Sequence, residues 1–103
     1  MANMFDMMKK AQAMQANLQK AQTELAAATL EGQAGNGMVT ITLSGAHEMK
    51  SIRIKPEAMD ASDPSLLEDL VKAAFADALT KANELTKAKM SAVTGGLSIP
   101  GIL

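Results

Sequence analysis

The sequence predicts an α+β chain: a long N-terminal helix, a small three-stranded antiparallel sheet built round a central hairpin, and a long C-terminal helix. Three observations predict it. Apolar residues step by three and four from Met4 to Ala28, alternate singly from Met38 to Ser44, and return to helical spacing from Leu67 to Leu85.

The first helix is predicted over about 4–28. Met4, Met7, Ala11, Met14, Leu18, Ala21, Leu25 and Ala28 form a heptad seam, and neither proline nor glycine interrupts it. At 1.5 Å per residue such a helix is roughly 35–40 Å long, much longer than the hairpin it precedes, so part of it must project. Its Met and Leu stripe reads first as core packing and second as a flexible partner surface.

The sheet is predicted over about 29–55. Thr29 to Ala34 reads as a short first strand leading into a Gly35-Asn36-Gly37 turn, and Gly32 within it marks a bulge or a close backbone approach. A phosphate loop at Gly35-x-Gly37 is rejected, since the Lys-Ser/Thr pair and the strand-to-helix setting are missing. Val39, Ile41 and Leu43 then share one face of the second strand, with Thr40, Thr42 and Ser44 on the other. Gly45-Ala46 is expected to reverse the chain with glycine at positive φ. Met49 is out of parity with Ile52 and Ile54 in the returning strand, Glu48 to Lys55, so a bulge is predicted near Lys50-Ser51. Lys55-Pro56 ends the sheet.

The second helix is predicted over about 64–93. Asp63 with Pro64, or a capping box of Ser65 and Glu68, starts it, and acids in its first turn complement the helix dipole better than they suggest a metal site. Leu67, Leu70, Val71, Ala74, Phe75, Ala78, Ala82 and Leu85 make a stripe wide enough to cover a sheet. Thr94-Gly95-Gly96 is the stop, and the apolar tail 94–103, interrupted by glycine and proline, either docks on a neighbour or stays loose.

Composition bounds the function. The apolar fraction is 48%, but Phe5 and Phe75 are the only aromatics, so thin helices packed through small residues are expected within one domain. Without cysteine there is no disulfide framework or thiol chemistry, which fits a reducing cytosol. No secretory signal and no bilayer-spanning stretch is read. His47 has no second metal ligand or activating partner, and no paired carboxylates or nucleotide fingerprint stand out. An enzyme, a metal, a cofactor and a small-molecule substrate are therefore not expected.

The net charge of −1 argues against a simple basic nucleic-acid binder, yet its distribution is uneven. Asp60, Asp63, Glu68, Asp69 and Asp77 crowd the start of the second helix, while Lys81, Lys87 and Lys89 populate its distal half. A two-stranded hairpin is marginal alone, and a chain this short cannot bury two helical seams and a sheet by itself. A homodimer joined through the hairpin is thus predicted, with Val39, Ile41, Leu43, Met49, Ile52 and Ile54 at the interface.

MMKKAQAMQANLQKAQTELA, then LEGQAGNGMVTITLSGAHEMKSIRIKPE, then LLEDLVKAAFADALTKANELTKAKMSAVTGG closely resembles the YbaB/EbfC family of nucleoid-associated proteins over nearly the whole chain. The resemblance implies a tweezer-like homodimer with helical arms that binds double-stranded DNA in the cytoplasmic nucleoid and acts in nucleoid organisation and gene regulation. It places DNA contact on the arms, where the basic residues here are Lys9, Lys10, Lys20, Lys81, Lys87 and Lys89. At about 100° per residue Lys81 and Lys89 lie about 80° apart and Lys87 points well away from both. The alternative is a protein-interaction or holdase-like clamp, which the near-neutral charge and the Met-lined seam support. Single-strand stacking is disfavoured by the lack of aromatics.

Overall fold

A computed structural model describes residues 3–94 of the chain. Helix α1, Met4–Ala27, leads into strands β1, Thr29–Ala34, β2, Val39–Ser44, and β3, Met49–Ile54; a single 3-10 turn at Pro56–Ala58 and a short connector then deliver the chain to helix α2, Pro64–Thr94. Asn3 caps α1, its Oδ1 accepting the Asp6 N–H at 2.8 Å. Pro64 opens α2 as expected, which puts Ser65 inside the helix, where its hydroxyl bonds the Asp63 carboxylate at 2.8 Å. The Gly95-Gly96 stop and the tail beyond it lie outside the described residues.

The sheet is antiparallel in the order β1-β2-β3. Its first reversal carries Gly35, Asn36 and Gly37 all at positive φ. Across β2 and β3, Thr42 pairs with Ser51 but Leu43 pairs with Met49, so Lys50 is the extra residue of a bulge and Met49 returns to the face of Ile52 and Ile54. The second reversal departs from expectation: the positive φ belongs to His47, at 70°, not to Gly45. The Ser44 hydroxyl holds that turn by accepting the N–H groups of Ala46 and Glu48. Gly45 is needed for a different reason, because a β-carbon there would sit 2.5 Å from the Leu25 carbonyl oxygen.

Helix α2 lies over β1 and β2 at backbone distance. A β-carbon on Gly32 would fall 2.2 Å from the Ala74 carbonyl oxygen and 2.3 Å from the Ala78 nitrogen, so the glycine, facing a ridge of Ala74, Ala78 and Ala82, lets strand and helix touch. The main core follows from this contact: Val39, Ile41 and Leu43 bury completely against Ala74 and Ala78, with Leu67, Leu70, Val71 and Leu79 packed around them. The covering helix stops short of β3. Met49 and Ile52 stay exposed and Ile54 is half-buried.

That placement corrects the interface expectation. Val39, Ile41 and Leu43 face α2 of their own chain, so only Met49, Ile52 and Ile54 of the expected set keep apolar surface for another subunit.

A second, smaller core joins the helices. Ala21 and Leu25 of α1 pack with Met90, flanked by Leu18, Leu85 and Val93, in an antiparallel pair. Every residue from Asn3 to Asn17 is exposed, so the first four turns of α1 form an arm about 20 Å long. The molecule measures 71 × 21 × 17 Å, with a radius of gyration of 19.3 Å. A compact domain of about 100 residues would have about 13 Å.

Candidate nucleic-acid interface

The residues that could meet a polyanion fall into two groups, those the fold already uses and those it leaves free. Lys81 and Lys89 belong to the first. The Lys81 ammonium donates to the Glu31 carbonyl oxygen at 2.8 Å and lies 3.4 Å from the Asp77 carboxylate, tying α2 to the edge of β1. The Lys89 ammonium bonds the Glu24 carboxylate and so bridges α2 and α1. That bond holds the Glu24 carboxyl below its ordinary range, with the nearby Lys89 charge and, more weakly, Lys20 adding to it.

Lys9, Lys10, Lys20 and Lys87 belong to the second group: among the described residues none of them has a carboxylate in ion-pair contact. Lys9 and Lys20 are eleven residues apart in α1, which puts them within about 20° of one another around the axis and about 16 Å apart along it. They form one exposed line. The seam of Met7, Met14 and Leu18 runs on the opposite side of the helix, because those residues differ from Lys9 by about 140–180°. Lys9 rests over the Phe5 ring, 5.3 Å from its centroid, which steadies an otherwise free side chain. Lys10 lies about 100° round from Lys9, and Lys87 projects from the outside of α2.

The structure adds cations that a reading confined to the helices passed over. β3 contributes Lys50 and Arg53, and Lys55 follows it. Lys50 pairs with Glu48 at 3.3 Å and Arg53 with Glu31 at 3.6 Å across the outer face of the sheet, where Gln33, Thr40 and Lys55 line a shallow depression beside Arg53. The alternation Ser51, Arg53, Lys55 against Ile52 and Ile54 carried that signal in the sequence.

His47 is tied to α2, its Nε2 lying 2.8 Å from the Asn83 Oδ1. Among the described residues no group of three or more His, Cys, Asp or Glu side chains could hold a metal, and no helix is long and apolar enough to cross a membrane. The arrangement can offer phosphate oxygens several ammonium groups that no carboxylate among the described residues engages.

The chain is similar to known proteins over nearly its whole length. A family model described as the YbaB/EbfC DNA-binding family matches residues 1–97. A nucleoid-associated protein of Gluconobacter oxydans is 44% identical over 100 residues, spanning 97% of this chain and 94% of its own. One from Ruminiclostridium cellulolyticum is 45% identical over 101 residues, spanning 97% and 88%. The crystal structure of an uncharacterized protein from Helicobacter pylori superposes with a TM-score of 0.81, covering 92% of this chain and all of that one at 15% identity, a likeness of fold.

Proposed function

The chain belongs to the YbaB/EbfC DNA-binding family, and from that premise we propose that two copies join through β3 and grip duplex DNA with the lysines of their projecting α1 arms. The observation that carries the proposal is the line of Lys9 and Lys20. Both ammonium groups are unpaired among the described residues and share one exposed face of α1, Lys9 on the free arm and Lys20 just past its base where α1 meets α2, pointing away from the apolar seam. Such a line can follow a phosphate backbone, and counterion release would then supply most of the affinity without reading sequence.

The subunit contact rests on β3. It is an edge strand whose inner face presents exposed Met49 and Ile52 beside half-buried Ile54, and an apolar edge of this kind is stable when another copy covers it. Two arms on one dimer double the phosphate contacts, which compensates for the net charge of −1. Such a protein organises DNA in the cytoplasmic nucleoid and modulates transcription by occupying it. Fluorescence anisotropy with a duplex across a salt series tests the reading. Binding that weakens steeply with salt, and less steeply in a Lys9→Gln/Lys20→Gln variant, supports it; a variant with unchanged slope overturns it.

A further inference from the structure

The face of the sheet turned away from α2 is polar. Gln33 of β1 pairs with Thr40 of β2, and Thr40 with Arg53 of β3, so the three make one cross-strand row spaced by about 4.8 Å per strand. Lys55 joins its cationic end. The Lys55 N–H donates to the Met38 carbonyl oxygen at 2.8 Å, which keeps the chain paired beyond β3, and two residues on from Arg53 its side chain rises on the same face. These four side chains, with Asn36 and Gly37 at the rim, line a depression of about 790 Å³.

Its floor is Thr40. That residue is only 7% exposed, yet its hydroxyl makes no hydrogen bond among the described residues. Because no fully buried side-chain oxygen or nitrogen is left without a partner there, the Thr40 oxygen opens into the depression. A threonine so deep in a sheet ordinarily bonds a neighbour, and this one keeps its donor for something that enters. The charges beside it have one sign. Among the described residues no acidic side chain lines the depression, Lys55 has no carboxylate in ion-pair contact, and Arg53 has only Glu31 at 3.6 Å. Both partners of that pair are more than half exposed, so it holds Arg53 weakly.

We propose that this depression binds a phosphate oxyanion, the Arg53 guanidinium and Lys55 ammonium meeting its charge and the Thr40 hydroxyl donating from the floor. The guanidinium fork engages two phosphate oxygens at once and the ammonium adds a point charge. Three donors from three sides suit a tetrahedral group better than a planar carboxylate. The same chemistry has two sources, a phosphodiester of a duplex and the phosphate of a small nucleotide. This inference goes beyond the proposed function and needs neither the α1 arms nor the dimer, since Met49, Ile52 and Ile54 of β3 lie on the opposite face of the sheet.

The test is a titration of the full chain with pyrophosphate at constant ionic strength in chloride, read from amide NMR resonances. Those of Thr40, Arg53 and Lys55 should shift saturably while those of Ala21 and Met90 stay still. Arg53→Gln with Lys55→Gln should weaken binding by about tenfold or more, and Thr40→Val, which keeps the side-chain shape, by about threefold. Glu31→Gln should tighten it about twofold by releasing Arg53. Unchanged helical circular dichroism shows that each variant folds. With a short duplex in place of pyrophosphate, movement of the same three amides assigns the oxyanion to the DNA backbone, and amides that stay still assign it to a small phosphate ester; either upholds the site. Absence of saturable shifts with pyrophosphate, or equal affinity in the Arg53→Gln/Lys55→Gln variant, overturns the proposal.

Discussion

The carboxylate of Asp77 on α2 accepts the backbone N–H of Gln33 on β1 at 3.1 Å. This bond satisfies an outward-facing donor on an edge strand, and with Lys81 on the Glu31 carbonyl it closes the β1 edge against pairing. β3 has no such cover from α2, and that asymmetry selects the edge on which the dimer is proposed.

Acid should loosen the sheet from α2. The Gln33 N–H, and after it Lys81, hold the Asp77 carboxyl below its ordinary value of 3.8, as Lys89 holds Glu24 below 4.5. A carboxyl with a lowered folded-state value contributes stability that is fully present above the unfolded value and is lost as pH falls through the folded one. Asp77→Ala should therefore lower the melting temperature at neutral pH, with a deficit that shrinks as pH falls below 3.8. Differential scanning calorimetry across that range checks this, and a deficit independent of pH would refute it.

Gly32→Ala should be among the most damaging small changes in the chain. The added methyl meets the α2 backbone at 2.2 and 2.3 Å, where no side-chain rotation relieves it. A loss of about 3 kcal/mol is expected in urea unfolding, the upper end of ordinary overpacking. A loss under about 0.5 kcal/mol, the usual size for surface substitutions, would mean that α2 can lift off β1 without cost.

Ile52→Asp places a charge on the exposed apolar edge while leaving the Val39–Ala74 core untouched. Light scattering should give the dimer mass for the parent and half of it for the variant, with unchanged helical circular dichroism. Retention of the dimer mass would move the interface elsewhere.

The lysines should separate into two classes. Lys9→Gln with Lys20→Gln should lower the salt dependence of DNA binding by up to about four units of slope in a dimer, at roughly 0.9 per phosphate contact, with little change in melting temperature. Lys89→Gln should do the reverse, lowering the melting temperature through the lost Glu24 bond while leaving the slope nearly intact. If Lys89 governs the slope, the division between structural and free cations is misplaced.

How far this was legible in the sequence depends on the range of each interaction. Strand alternation, the Lys50 bulge and the close approach at Gly32 are carried by neighbouring residues, and all three stand in the structure. The strap of α2 over β1 and β2 alone is not local, so the inward face of Val39, Ile41 and Leu43 read as shared between subunits when its own helix covers it. Lys81 and Lys89 read as free for the same reason, since Glu31 lies 50 residues from Lys81 and Glu24 lies 65 from Lys89. Glycine at the second turn drew the positive φ to Gly45, whereas Ser44 and the approach of Leu25 gave it to His47.

A body 71 Å long and no more than 21 Å across keeps little of itself far from water. Unfolding it releases less newly wetted hydrocarbon per residue than opening a rounded domain, so its heat-capacity increment should be low and its melting gradual. The stability curve is then flat, and such a chain holds its shape at nearly constant strength from cold to warm rather than peaking at one temperature.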